Sequence, residues 1–231
     1  MEIHFNIRDI FHAPRSGYNI TKILISIRAN FFGYFVYLIA NYLALYLSGS
    51  SFNSTWQSFG IYPCAYFYDL NWFSLIIFWF GAVFWILILY LSICAVSRIT
   101  YHELKGNYFY SIKDAQSYIK KNWQPLIFTP FTICAILLFY LLATSLFGLL
   151  SKIPWIGSLI ISVPFLIYFL GAVFAAFTIY VLVVSIVFTP AIIGTTSEDT
   201  MGSVFNAYML AWRYPFHIII YKLILASIIY L

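Results

Sequence analysis

Long runs of apolar residues constrain this chain more than any other feature of its sequence. A transmembrane helix needs about 20 mostly apolar residues to cross a hydrocarbon core of about 30 Å. Several runs reach or approach this length, at approximately residues 31–47, 72–96, 126–150, 159–188 and 216–231. The sequence therefore predicts an all-α fold, a polytopic transmembrane helix bundle with five spans.

Composition excludes the common soluble classes of protein. Of the 231 residues, 63% are hydrophobic, 22% are aromatic and only 8% are charged, whereas a soluble domain has about 25% charged residues. So few charged side chains could not cover the surface of a soluble globule. The composition excludes a soluble enzyme, a disordered chain and a nucleic-acid-binding domain, and it predicts a single integral membrane domain over residues 1–231.

The distribution of Lys and Arg predicts the orientation, because basic residues concentrate in cytoplasmic loops. The loop at residues 48–71 has neither, and the loop at 151–158 has only Lys152. Ten others lie in the segments on the opposite side, and Lys222 lies just inside the fifth run. We expect a cytoplasmic N-terminus, a retained first helix without a cleavable signal peptide, and an outer loop at 48–71 whose Trp and Tyr favour the headgroup zone.

Amphipathic segments precede some of the apolar runs. Residues 1–30 are expected to form a cytoplasmic N-terminal anchor, and residues 111–122 and 203–213 to form interface helices. In the first interface helix, Ile112, Ala115 and Ile119 share one stripe, which we expect to face down into the headgroup plane. The more apolar 203–213 helix is expected to be covered by protein or set deeper. Candidate contacts to anionic lipid or to a partner are Arg8, Arg15, Lys22, Arg28, Lys113, Lys120, Lys121 and Arg213.

The acidic residues have simple structural interpretations. Ser111 and Asp114 resemble a capping box with Asp in place of Glu, and Asp199 or Thr200 is expected to cap the helix that follows it. Two alternatives are a cation or basic-partner site at Glu198 and Asp199, and a catalytic carboxylate pair formed by Glu103 and Asp114. Neither alternative has a supporting motif, and we favour the caps.

A parallel internal repeat of about 90 residues is the most specific pattern. Gly81-Ala82-Val83-Phe84 with Tyr90 recurs at an offset of 90 as Gly171-Ala172-Val173-Phe174 with Tyr180, and Pro125 recurs as Pro215. Chance similarity among apolar runs is the alternative. A complete repeat would add a sixth span after Leu231. The small residues are candidates for helix packing; they are Gly81, Ala82, Gly171 and Ala172.

The predicted spans carry few groups suited to chemistry. Metal and haem sites need His, Cys or carboxylate ligands, and the histidines fall in loops or at span ends, at His4, His12, His102 and His217. The cysteines have no CxxC spacing; they are Cys64, Cys94 and Cys134. We predict no metal, no cofactor and no catalytic residues, while a lipid, quinone or pigment held by aromatic contacts alone stays open.

Three stretches together resemble a known kind of protein, at residues 8–15, 98–123 and 190–221. They are similar to uncharacterised bacterial multi-pass membrane proteins and, more distantly, to the membrane domain of some glycerophosphodiester phosphodiesterases. Such domains often place a Pro at the end of a span before an acidic loop and a helix that ends in a basic residue. That outline matches Pro190, Glu198, Asp199, Ser203, Ala207 and Arg213. The resemblance implies a multi-pass protein of the bacterial cytoplasmic (inner) membrane, usually with six spans, and no phosphodiesterase activity.

These observations favour a non-catalytic function. We expect an integral membrane scaffold or accessory subunit of a larger complex, which contacts other integral membrane subunits and anionic lipids but no nucleic acid. Aromatic side chains suit this function because they give a large contact area at low entropic cost. The alternative is a permease-like or lipid-handling protein that works with a cytoplasmic partner through its basic helices.

Overall fold

The described part of the chain is helical. A computed structural model describes residues 17, 19–65, 70–153, 162 and 164–230, and within these ranges it has no strand. In chain order the helices are α1 (Ile20–Leu47), α2 (Phe52–Phe59), α3 (Trp72–Leu104), α4 (Ile112–Leu150), α5 (Phe165–Thr196), α6 (Thr200–Arg213) and α7 (Pro215–Tyr230). The predicted all-α fold is confirmed.

Four of these helices are long and apolar enough to cross a membrane, namely α1, α3, α4 and α5. Helix α7 is also apolar but has 16 residues. Apolar helices of this length make the chain a membrane protein, because a helix satisfies its own backbone hydrogen bonds in hydrocarbon. The predicted start of the fourth span, near residue 159, lies outside the described residues.

Several helices are longer than their apolar runs. Helix α1 begins at Ile20 because the Asn19 side-chain oxygen accepts a hydrogen bond from the Thr21 N–H at 3.0 Å. Residues 20–30, the described end of the segment expected to form the N-terminal anchor, therefore continue into the first apolar run without a break. Helix α5 continues to Thr196 and ends where Ser197 adopts a left-handed conformation with φ 60°.

The described chain separates into two compact units, where the sequence predicts a single domain. Unit one contains residues 17–119 of the described chain and unit two contains residues 120–230. The division falls within α4, close to Asn122, whose φ of −114° and ψ of 22° are not helical. Pro125 explains this kink, because proline lacks an N–H and its ring clashes with the carbonyl four residues earlier.

In unit one, α1 and α3 pack closely through small residues. A Cβ atom added to Gly81 would lie 2.5 Å from the Cβ of Ala40, and one added to Gly33 would lie 2.5 Å from the Trp85 ring. The two backbones therefore approach each other more closely than larger residues would allow, as is common between membrane helices. The Trp85 Nε1–H also donates to the Asn30 side-chain oxygen at 3.1 Å.

The outer loop predicted between the first two apolar runs folds back onto α1. The Tyr42 hydroxyl donates to the Gly60 carbonyl at 2.5 Å, and the Tyr34 hydroxyl donates to the Ile61 carbonyl. Asn41 is fully buried, and its side-chain oxygen accepts the Ala65 N–H at 3.2 Å. Polar groups of α1 thus satisfy backbone groups of the loop at Gly60, Ile61 and Ala65.

In unit two, α6 lies against α5. Val204, Ala207 and Ala211 of α6 form a buried cluster with residues of α5 that include Val181 and Val184. The Tyr208 hydroxyl adds a hydrogen bond to the Thr178 hydroxyl at 3.1 Å. Protein thus covers one side of this segment, while Phe205, Met209 and Trp212 stay exposed.

The first interface helix differs from its prediction. Residues 111–122 fall in the first turns of α4, where Ala115 is buried together with Ile25, Ala95 and Ile99 of unit one. The expectation that this apolar stripe faces the headgroups is wrong. Its periodicity identified the buried face correctly, but a stripe does not specify whether lipid or another helix covers it.

The packing at Gly81 predicts a stability difference between two glycine-to-alanine variants. In Gly81→Ala the new methyl group meets Ala40, and we expect overpacking to reduce the free energy of unfolding by about 1–3 kcal/mol. In the control Gly148→Ala the added Cβ meets no atom within 4 Å, so this helical position should keep or gain stability. Thermal unfolding in detergent measures both, and equal midpoints would contradict the close packing.

Candidate functional site

A buried ion pair joins the first turn of α1 to the last turn of α3. The Lys22 ammonium donates to Oε2 of Glu103 at 2.5 Å. Asn19 donates from Nδ2 to Oε1 of the same carboxylate at 2.6 Å. The Lys22 side chain is 3% exposed and that of Glu103 is 18% exposed. Both carboxylate oxygens thus have partners, which compensates part of the cost of burying the charges.

Aromatic rings contact two other cations at this end of unit one. The Arg98 guanidinium carbon lies 4.2 Å from the ring centre of Tyr118, and the Lys105 ammonium lies 4.3 Å from the ring centre of Tyr101. Such cation–π contacts contribute about 0.5–1 kcal/mol each at exposed sites. His102 stacks on Tyr110 with ring centres 4.0 Å apart. Rings therefore fix the directions of these basic side chains.

A tight loop connects α3 to α4. The Asn107 N–H donates to the His102 carbonyl at 2.9 Å, and the Gly106 N–H donates to the Glu103 carbonyl at 3.0 Å. This is a Schellman motif, and Gly106 supplies the left-handed conformation that the motif requires, with φ 84°. The loop leaves α3 in one defined direction.

The start of α4 has the predicted capping box. The Asp114 N–H donates to Oγ of Ser111 at 3.2 Å, and the Ser111 N–H donates to Oδ2 of Asp114 at 3.1 Å. Two helix N–H groups without intrahelical partners are satisfied by this reciprocal pair. The capping prediction is confirmed, and the shorter side chain of Asp serves in place of Glu.

The acidic residues of unit two also have structural partners. Oδ1 of Asp199 accepts the Gly202 N–H at 2.9 Å and caps α6 as predicted. Oε2 of Glu198 accepts from Nδ2 of Asn206 at 2.6 Å. Glu103 binds Lys22 and Asp114 binds Ser111, so each of these four carboxylates has a hydrogen-bond partner in the described structure.

The predicted contact residues occupy different environments. Lys22 is buried in the ion pair, which differs from the surface contact to lipid or a partner expected of it. The other described members of that set are exposed; they are Arg28, Lys113, Lys120, Lys121 and Arg213. Arg8 and Arg15 lie outside the described residues.

The predicted packing residues are also divided. Gly81 is buried against α1 and Ala82 is half-buried. A Cβ atom on Gly171 would lie 2.7 Å from the Tyr140 hydroxyl, so this glycine faces an aromatic ring of α4. Ala172 is exposed and lines a groove.

Two of the grooves on the described part of unit two are open to their surroundings. The larger, of about 280 Å³, is mostly apolar and is lined by Tyr140, Thr144, Phe147, Gly148, Tyr168 and Ala172. The smaller, of about 170 Å³, lies between the end of α5 and α6, where Asn206 and Arg213 form part of its wall. In the part of the chain that the structure describes, no three His, Cys, Asp or Glu side chains gather where a metal ion could bind.

Sequence reasoning missed the pairing of Lys22 with Glu103. The two residues are 81 positions apart, and the charge rule treats Lys22 only as a basic surface group. A signal was present: adjacent spans are antiparallel, so the start of α1 and the end of α3 lie on the same side of the membrane. Opposite charges at those two positions could have been paired on that ground.

Comparisons with models of protein families, with curated proteins and with solved structures gave no match. The resemblance to bacterial multi-pass membrane proteins therefore stays a prediction.

The ion pair predicts the outcome of neutralising one partner. In Glu103→Gln the Lys22 ammonium stays buried but loses the opposite charge, and we expect the free energy of unfolding to fall by about 3–5 kcal/mol. Thermal unfolding in detergent measures the loss. The exposed-lysine variant Lys120→Gln is the matched control and should change stability by less than about 0.5 kcal/mol.

A double variant separates charge from shape at the same site. Lys22→Met with Glu103→Leu removes both charges and keeps apolar volume, so it should recover most of the stability lost in Glu103→Gln. If Glu103→Gln is as stable as the native chain, the ion pair does not hold α1 to α3.

Proposed function

We propose that this chain is a non-catalytic integral membrane scaffold or accessory subunit of a larger membrane protein complex. The observation that carries the proposal is how little of its long helices is covered within the chain. In the most apolar 18-residue stretch of α4 only 6% of the residues are buried, against 28% in the corresponding stretch of α5. A helix with as few internal contacts as α4 gains lateral packing from a neighbouring molecule.

The exposed faces are rich in aromatic residues. On α4, Phe131 and Phe139 lie eight residues apart and are both largely exposed, and α1 exposes Phe31 and Phe35 four residues apart. Residues at these spacings share one side of a helix. Rigid aromatic side chains fill an interface at low entropic cost, which favours a protein partner at these faces.

Several polar groups of the described chain have structural partners within it. The carboxylates of Glu103, Asp114 and Asp199 hold an ion pair or a helix cap. The basic residues Arg98 and Lys105 contact rings of their own unit. This distribution of polar partners supports a binding function and not a catalytic one.

We further propose that the protein lies in a bacterial inner membrane with its N-terminus in the cytoplasm. Basic residues gather at one end of unit one, at Lys22, Arg98, Lys105 and Lys113, while the loop after α1 has no Lys or Arg over residues 48–65. The positive-inside rule then assigns the basic end to the cytoplasm.

We also propose that α7 is a fifth span and that the chain contains a parallel repeat. At 16 residues α7 has a length of about 24 Å, less than the hydrocarbon core of about 30 Å, so local thinning of the bilayer would accompany its insertion. The repeat gains support from Ala115 and Ala207, which are 92 residues apart and fully buried. Each lies in the helical segment that follows a long apolar helix.

Affinity purification from native membranes in mild detergent tests the proposed function. We expect larger integral membrane proteins to co-purify in a fixed stoichiometry, identified by mass spectrometry. The double variant Phe131→Ala with Phe139→Ala should lose these partners, because truncating an aromatic anchor costs about 2 kcal/mol or more at an interface centre.

The control is Val173→Ala, an exposed position on α5 that carries no aromatic ring. It should retain the partners, and both variants should unfold at the native temperature. A native chain that migrates alone from its own membrane contradicts the proposal, and stoichiometric recovery of only a soluble ATPase would favour the permease-like alternative.

A further inference from the structure

The loop between α3 and α4 presents two aromatic side chains at its tip. Tyr108 is 71% exposed and Phe109 is 96% exposed. Exposure of large apolar side chains to water is unfavourable relative to their burial. Contact with an apolar environment would therefore stabilise the exposed rings of Tyr108 and Phe109.

The backbone of this loop is held by hydrogen bonds on both sides of the tip. The Schellman motif at Gly106 closes α3, the Phe109 N–H donates to Oδ1 of Asn107 at 3.3 Å, and the Ser111–Asp114 box opens α4. Consecutive local motifs of this kind fix the direction of the tip. Tyr108 and Phe109 are thus presented by a built turn and not by a long free segment.

Positive charge flanks the tip. Lys105 precedes it and Lys113 follows it, and both are exposed. Glu103 is paired with Lys22, whereas the exposed Asp114 accepts hydrogen bonds from the neutral Ser111 and keeps its negative charge. Two exposed ammonium groups against one exposed carboxylate leave a net positive charge beside the two rings, which complements an anionic surface.

The apolar surface of α1 indicates where the membrane lies relative to this tip. An exposed stripe runs back along α1 to its first turn, through Ile27, Leu24, Ile23 and Ile20. With 28 residues, α1 is about 42 Å long, which equals a bilayer of about 40–45 Å including its headgroups. The Lys22–Glu103 pair fixes the end of α3 beside that first turn, so the tip lies at the headgroup level.

We propose that Tyr108, Phe109, Lys105 and Lys113 form an interfacial anchor that inserts the two rings among anionic phospholipids. The rings enter the boundary between headgroups and acyl chains, where aromatic side chains are favoured, and the two ammonium groups bind lipid phosphates. This anchor needs no partner subunit, so the test of the anchor is independent of the test of the scaffold function. It fixes the depth at which unit one sits in its leaflet.

A fluorescent reporter at the tip tests the proposal. In a background of Cys64→Ser, Cys94→Ala and Cys134→Ala, bimane is attached to Tyr108→Cys, which leaves Phe109 in place. The protein is placed in nanodiscs of phosphatidylcholine with or without phosphatidylglycerol. Quenching by a nitroxide lipid labelled near the headgroup reports insertion, and quenching by an aqueous nickel complex reports exposure to water. The matched control carries bimane at Gln116→Cys, on the exposed side of α4.

We expect the reporter at position 108 to be quenched by the lipid nitroxide when phosphatidylglycerol is present, while the reporter at 116 is quenched by aqueous nickel. Lys105→Gln and Lys113→Gln should each lower the ratio of inserted to water-exposed reporter by about fivefold. Phe109→Ser should lower it as well. If the reporter at 108 stays open to nickel in both lipid mixtures, or if these variants change nothing, the anchor is absent.

A second measurement uses the native sequence and so does not depend on the cysteine substitutions. A phosphatidylglycerol analogue with a diazirine on its headgroup is irradiated with the unmodified protein, and the adducts are mapped by mass spectrometry. Adducts on the peptide that contains residues 105–111 support the anchor. Adducts confined to other peptides overturn it.

Discussion

A helix in hydrocarbon has to satisfy every backbone N–H and C=O within itself, and the rest of this structure depends on that constraint. It makes long helices the only elements in the described membrane-spanning part and moves the demanding polar chemistry to the helix ends. There the chain has to supply caps, ion pairs and loop contacts from its own side chains. In unit one, Asn19, Lys22 and Glu103 do so at one end of the α1–α3 pair. Tyr34, Asn41 and Tyr42 do so at the other.

Between these ends, side-chain size controls the packing. Gly33 and Gly81 let α1 and α3 approach closely. Van der Waals packing then stabilises the helix pair, because lipid is itself apolar and no hydrophobic effect drives helices together within it. Unit two combines alanines of α6 with hydroxyl groups, as in the contact of Tyr208 with Thr178. After its kink, helix α4 has much less small-residue packing and fewer hydroxyl contacts to other helices. Its aromatic face is therefore available to neighbouring molecules.

Sequence reasoning succeeded where the physical cause is local. Apolar length predicted the long helices, and side-chain chemistry predicted the caps at Ser111 and Asp199. It failed where a contact joins residues far apart in sequence, and where the apolar pattern does not specify what covers a buried face. The charge rule treated Lys22 as a surface group, because nothing near it in sequence shows the carboxylate of Glu103. The Ile112 stripe identified a buried face but not the helix that covers it.

The central claim is that another membrane protein covers the aromatic face of α4. Incorporation of a photoreactive benzophenone amino acid at position 139, in the native host membrane, tests it most directly. The account predicts a discrete protein adduct at 139 and none at Ile167, an exposed position on α5 used as the reference. Adducts to lipid alone at both positions would show that α4 faces the bilayer and would contradict the claim.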